Sequence, residues 1–344
     1  MISLPKCTSL TSAVTTTMGM ALMGLALLAP AGNTALAAYP DKPVRIVIPF
    51  APGGPSDMLG RAIAQKLNVA LGQPVIAENK PGAGTNLAAE FVAKAAPDGY
   101  TLLLMMVGTQ AINEAMYPKL AYNTVRDFAP ITLTAASSLI LAAHPSVPAK
   151  NLKELVALSK ANPGKFNYGT AGAGTPLHLG GLLFNNLSGT DFQHVPYKGA
   201  GPAMNDVLGG QIQLILAGTP SVLAHLKSGK LNAMGVTSLK RSTNAPEVPT
   251  IAESYPGFEV ELVYALVAPA GTPKDVVSRL NLEVTKLLQD AEMRDKLAGQ
   301  GFEVRTSTPE QLGSYIKSEI AKWAPLVRNQ ASSRSERIPE TPVE

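Results

Sequence analysis

The stretch Val44-Arg45-Ile46-Val47-Ile48-Pro49-Phe50-Ala51-Pro52-Gly53-Gly54-Pro55-Ser56-Asp57 decides the reading of the fold. Residues 44–50 are a short apolar run of strand character, and the Pro/Gly-rich turn ends it. Leu59, Ile63, Leu67 and Leu71 then recur every four residues, one face of a helix. Strand, glycine-rich turn and helix make the opening of a βαβ unit, and the pattern continues. Residues 74–78 read as a second strand, followed by Pro81-Gly82-Ala83-Gly84-Thr85-Asn86 and a helix through Leu87, Phe91, Val92 and Ala95. Residues 100–107 read as a third strand, between Asp98-Gly99 and Gly108-Thr109-Gln110. Strands alternating with helices predict parallel sheets and the α/β class.

Further on lies a longer apolar stretch, 131–143, bounded by Pro130 and Pro145 and long enough to cross between two domains. The strand–loop–helix pattern then restarts. A helix is expected from Asn151, boxed with Glu154, then strands at 166–169, 193–197, 211–216 and 231–237. The intervening helices include one with Leu179, Leu183 and Leu187 on a single face. The Pro-containing segment 244–256 and a strand at 259–267 read as a return to the first domain. Two amphipathic helices close it, starting at Thr272-Pro273 and Thr308-Pro309, each with a cap residue followed by Pro at the first helical position. The expected organisation is a discontinuous domain 1 (38–136 and 239–331), domain 2 (137–238), and a polar, aperiodic, disordered tail (332–344).

The N-terminus changes the chemistry available. Residues 1–37 contain Lys6 and no acid, then the apolar run 18–31, then Ala35-Leu36-Ala37. This is the pattern of a secretory signal peptide cut after Ala37. An uncleaved anchor fits less well, because a comfortable span needs ~20 apolar residues. Cys7 is the only cysteine of the 344 residues, so the mature chain would have no disulfide, thiolate nucleophile or Cys-ligated metal. The leader also takes one of the 29 Lys and Arg residues and none of the 25 acids, leaving a charge of +3. With Lys240-Arg241 as the longest basic run and aromatics at 5%, a nucleic-acid partner is not expected.

Three glycine-rich loops follow strands and open helices: 52–57, 82–86 and 172–175. Free N–H groups at a helix start, together with the helix dipole, suit a carboxylate or phosphate, and such loops sit at the carboxyl ends of the strands. Taken singly, each is also what a tight strand-to-helix turn looks like. None carries a dinucleotide fingerprint or a P-loop. There is no Gly-x-Ser-x-Gly elbow and no His-Glu-x-x-His, and the 4 histidines lack metal-ligand spacing. No cofactor, metal or catalytic residue is therefore expected. His178, three residues after Thr175, could contact a bound anion or simply cap and pack. Asp57 reads better as a capping group than as a ligand contact. Lys198 offers a positive charge to an acid or is solvated.

Several segments carry a family resemblance. Tyr39-Pro40-Asp41-Lys42-Pro43-Val44-Arg45, leading into 49–57, resembles the opening of the Bug receptors, the extracytoplasmic solute-binding proteins of tripartite tricarboxylate transporters. Glu78-Asn79-Lys80-Pro81-Gly82-Ala83-Gly84, Pro97-Asp98-Gly99-Tyr100-Thr101-Leu102 and Tyr168-Gly169-Thr170-Ala171-Gly172-Ala173-Gly174-Thr175 with His178-Leu179 agree. So do His194-Val195-Pro196-Tyr197-Lys198-Gly199 and Ala268-Pro269-Ala270-Gly271-Thr272-Pro273. The similarity spans 39–330 in order.

It implies a two-lobed periplasmic binding protein of type II, the Venus flytrap, with two hinged domains closing over a small organic anion. It also implies that backbone groups and bridging waters hold the ligand. By position these residues are Phe50, Gly53, Gly54, Gly108, Thr109, Ala171, Gly174, Thr175, His178, Lys198 and Gly199. A monomer that delivers a carboxylate to membrane permease subunits is the leading expectation. The alternatives are a receptor that presents its solute to a sensor kinase, and a secreted enzyme on the same fold. Two departures bear on the ligand. Gly210-Gln211-Ile212-Gln213 and Ala217-Gly218-Thr219 lack the acids that some relatives place there, so a ligand amino group would lack a carboxylate partner.

Overall fold

Val44, Ile46, Val47 and Ile48 have no exposed surface, as expected of a parallel strand covered on both faces. This strand, β1 (Val44–Ile48), lies between β2 (Val75–Asn79) and β3 (Thr101–Met106) and is parallel to both. The connections are α1 (Pro55–Leu71) and α2 (Asn86–Ala93). α1 buries the predicted stripe Leu59, Ile63, Leu67 and Leu71, has Pro55 in its first turn, and stops at Gly72 in the left-handed region. The computed structural model describes residues 1–2, 39–117 and 119–335. The expected leader lies outside them apart from its first two residues.

β3 runs directly into α3 (Val107–Met116) and pairs antiparallel with β9 (Glu261–Pro269). β9 pairs in turn with the long strand β4 (Phe128–Ala143). Up to Ser138, β4 lies against β9 and the short β10 (Glu303–Val304). From Leu139 its neighbours are β7 (Leu214–Gly218) and β8 (Asn232–Val236). Beyond β7 come β5 (Asn167–Thr170) and β6 (Gln193–Pro196), all parallel. The strand order is β2-β1-β3-β9-β4-β7-β5-β6, a curled α/β sheet that makes two lobes sharing β4. Its start lies past Pro130, outside the expected run. The register slips between Pro130 and Thr132, an irregularity that accommodates a residue with no N–H to donate.

The second lobe carries α4 (Leu152–Ala161), α5 (Pro176–Ser188), α6 (Ala200–Leu208) and α7 (Thr219–Lys227). α8 (Lys274–Gln289), α9 (Ala291–Gly299) and α10 (Pro309–Ser335) close the chain. Separate cores form on the two sides, one around Val47, Leu103, Met105, Phe128 and Ile316, the other around Ile140, Val207, Ile215 and Val236. Thr237 ties the passages between the sheets together. Its hydroxyl accepts from Leu139 N–H at 2.8 Å and donates to the Val260 carbonyl at 2.6 Å.

Some local expectations are corrected. Leu87 and Phe91 of α2 are 51% and 37% exposed, because Ala88, Ala89 and Val92 face the sheet instead. On α5, Leu187 is exposed, and the helix meets Tyr168 of β5 through Gly181, while Gly180 faces Leu216 and Val260. A Cβ on Gly181 would lie 2.3 Å from the Tyr168 ring, so the glycine face approaches more closely than a leucine face could. α8 begins one residue late, with Pro273 as its N-cap, while the Thr272 hydroxyl donates to the Pro269 carbonyl. α10 continues to Ser335, into the segment expected to be a tail. Residues 336–344 lie outside the described residues.

Candidate ligand-binding cleft

The loop after β1 is held by Asp57. Its carboxylate accepts from Gly53 N–H at 3.1 Å, Arg61 Nε at 2.9 Å and Asn79 Nδ2 at 2.9 Å. Asn79 Nδ2 also donates to the Phe50 carbonyl. Burial raises the Asp57 pKa, but the hydrogen bonds from Arg61, Asn79 and Gly53 outweigh it and leave the carboxyl below its ordinary value. Asp57 is thus a strut for the loop, its oxygens already engaged. Gly53 takes φ +88°, a conformation open to glycine.

The loop before α2 is strained. Ala83, Gly84 and Thr85 all have positive φ, 47°, 59° and 81°, unusual for an alanine and costly for a β-branched residue. Gln110 Nε2 donates to Thr85 Oγ1 at 3.0 Å, and Asn113 Nδ2 donates to the Gly84 carbonyl at 2.9 Å, holding the turn from α3. The result carries Gly84 to the other lobe, where a Cβ on it would stand 2.8 Å from the Ala173 carbonyl oxygen.

Facing these, the 171–175 loop is built by Thr175, which caps α5. Its hydroxyl donates to the Gly172 carbonyl at 2.7 Å and accepts His178 N–H at 3.3 Å. The His178 ring stacks on His194 with centroids 4.2 Å apart, and its Nδ1 lies 3.4 Å from Gly174 N. His194 Nε2 in turn lies 2.7 Å from Thr170 Oγ1. Burial, and secondarily the charge of His178, push the His194 pKa down to about 3. His178 thereby takes the capping and packing place that the sequence allowed as one of its two roles.

The two sets of loops touch mainly through backbone and small side chains. Ala51 N–H donates to the Lys198 carbonyl at 2.9 Å. A Cβ on Gly201 would be 2.4 Å from the Pro52 carbonyl oxygen, and one on Gly199 would be 2.9 Å from Ala51 N. Between the lobes is a cavity of about 10 Å³ whose walls include Phe50, Gly54, Ser56, Met106, Ala171 and Tyr264. No charged residue lines it. Four helices start at this cavity, through Gly54 (α1), Leu177 (α5), Ala200 (α6) and Gly218 (α7).

Of the sequence-derived positions, Phe50, Gly54 and Ala171 line the cavity. Gly53, Lys198 and Gly199 form the contact beside it, and Gly174 packs on Asn113. Lys198 contributes its carbonyl, while the residue is exposed. Gly108 and Thr109 do not line this cavity but sit in the first turn of α3, with Gly108 against the start of α5. Gly108 faces Pro176 and Trp323, and the Thr109 hydroxyl donates to Met106 Sδ. Ser56, Met106, Leu177, Gly218 and Tyr264 line the cavity without having been singled out. Among the described residues no group of three His, Cys, Asp or Glu could hold a metal ion.

Two lobes sharing a strand, with helix N-termini converging on the cleft between them, define a solute-binding protein of the periplasmic two-lobed class. Residues 59–331 match the model of the tripartite tricarboxylate transporter family receptor, and the chain belongs to that family of Bug-type solute-binding receptors. It is 36% identical over 292 residues to protein BugT of Bordetella pertussis, covering 84% of this chain and 90% of that one. The structure of R. palustris Rpa4515 with adipate matches with a TM-score of 0.82 at 32% identity, over 84% of this chain and 97% of that one. MatC from Rhodopseudomonas palustris with bound malate matches with a TM-score of 0.79 at 35% identity, over 84% and 100%.

Proposed function

We propose that this receptor captures a small organic carboxylate between its lobes in the periplasm and passes it to a membrane permease. The observation that carries this is the convergence of four helix N-termini on a cavity with no charged wall. Partial positive charge from helix ends favours an anion without a compensating cation. The bound adipate and malate of the two relatives support the same class of ligand.

Domain 1 (38–136 and 239–331) and domain 2 (137–238) close about Ser138, Thr237 and Val260. The ligand favours closure only through contacts made in the closed state. Phe50, Gly53, Gly54, Ala171, Gly174, Lys198 and Gly199 supply backbone groups to it. The second-lobe segment 217–219 offers no acid to an ammonium group, Thr219 bonding Ser138, and the Asp57 carboxylate of the first lobe is already engaged by Gly53, Arg61 and Asn79. Calorimetry on stripped protein should show malate or adipate binding and aspartate binding at least a hundredfold more weakly. Tight aspartate binding contradicts this reading. Deleting the gene should abolish uptake of the bound carboxylate; intact uptake would assign the receptor to a sensor kinase instead.

A further inference from the structure

Two buried hydroxyls beside the cleft, those of Tyr264 and Ser137, make no close hydrogen bond within the chain. Tyr264 on β9 has no exposed surface, and its Oη has no hydrogen-bond partner. Ser137 on β4 is 4% exposed, and its Oγ has none either. Ser137 Oγ reaches the start of α7, 3.5 Å from where a Cβ on Gly218 would sit. Tyr264 and Ser56 line the cavity with Gly218. Ser56, 3% exposed, belongs to the first turn of α1.

Buried hydroxyls in native proteins are nearly always paired, so an unpaired one on a cleft wall points to a partner from outside the chain. The cavity, about 10 Å³, is of the size that takes one water or one polar atom. Its walls come from both lobes, with Ser56 and Tyr264 facing Ala171 and Gly218, so parting the lobes opens it to solute.

We propose that Tyr264, with Ser137 and Ser56, forms a neutral hydroxyl subsite that receives one oxygen of the bound solute, the phenol donating. Burial raises the Tyr264 pKa, and the nearby serine hydroxyls offset this only in part, so the phenol keeps its proton at any physiological pH. Three hydroxyls can donate to a carboxylate oxygen, whereas an ammonium group would meet lone pairs and no counter-charge. The subsite rests on the carboxylate reading above and names the side chains that discriminate within it.

The test pairs melting of the ligand-free protein with calorimetry, using α,ω-dicarboxylates of three to six carbons. Tyr264→Phe should leave the free protein's melting temperature unchanged or raised, and weaken the dicarboxylate that wild type binds by at least tenfold, the loss of one hydrogen bond to a charged group. Ser137→Ala should weaken it less. Unchanged affinity in Tyr264→Phe overturns the subsite alone. A lowered melting temperature in free Tyr264→Phe also overturns it, since the hydroxyl would then be structural. Wild type binding no member of the series overturns the carboxylate reading, and the subsite with it.

Discussion

His194 sits under the second-lobe loop, stacked on His178 and beside Tyr168, with its Nε2 against Thr170. Its pKa of about 3, against an ordinary 6.5, makes stability depend on acid in a definite sense. Above 6.5 the ring is neutral in both states. Below 6.5 the unfolded chain takes up a proton that the native chain refuses until about pH 3, so stability falls across that window. Thermal melting from pH 8 to pH 4 should therefore show a shallower acid decline in His194→Phe than in wild type. Parallel declines would contradict the placement. The residue scale is also where the sequence was hardest to read. Gly53, Gly54 and Gly199 were legible because tight turns leave a glycine signature. Tyr264 was not, because β9 is buried almost throughout, and a cleft tyrosine on such a strand looks like a core aromatic. Lys198 invited a role for its ammonium, yet its carbonyl makes the contact between lobes.

At the scale of elements, α1 shows what periodicity reads well. Its apolar residues at four-residue spacing are all buried, and no competing feature rotates the helix. α5 shows where it misleads. The leucines at 179, 183 and 187 suggest one face, but Gly181 lets the helix lie on Tyr168 and Gly180 packs on Leu216 and Val260, which leaves Leu187 outward. Hydrophobicity does not report how closely two backbones can approach. Gly181→Ala should thus destabilise the protein by about 1–3 kcal/mol through overpacking, despite alanine's better helix propensity. Urea unfolding checks this, and a stabilised variant would show that Tyr168 can move aside. Most of β4 was legible from its apolar run between two prolines, although the strand begins at Phe128, ahead of Pro130. Its exchange of partners after Ser138 was not, since strand pairing is set by residues far away in sequence.

For the whole molecule, alternating strands and helices made the α/β class readable, and the family resemblance added the two lobes. The insertion of β9 between β3 and β4 has no local signal. Nor has the way strained Thr85 and Ala83 present Gly84 to the opposite lobe. The central claim is that the lobes close by backbone fit, with glycine at the points of contact, around a carboxylate. Gly201 isolates that claim. It lies within α6, where alanine is the better helix former, yet a Cβ there would meet the Pro52 carbonyl oxygen at 2.4 Å only when the lobes are together. Calorimetric titration of Gly201→Ala beside wild type, with the dicarboxylate that wild type binds, is the direct measurement. Affinity at least tenfold weaker, with no loss of ligand-free melting temperature, is the predicted result; wild-type affinity in Gly201→Ala would contradict the account.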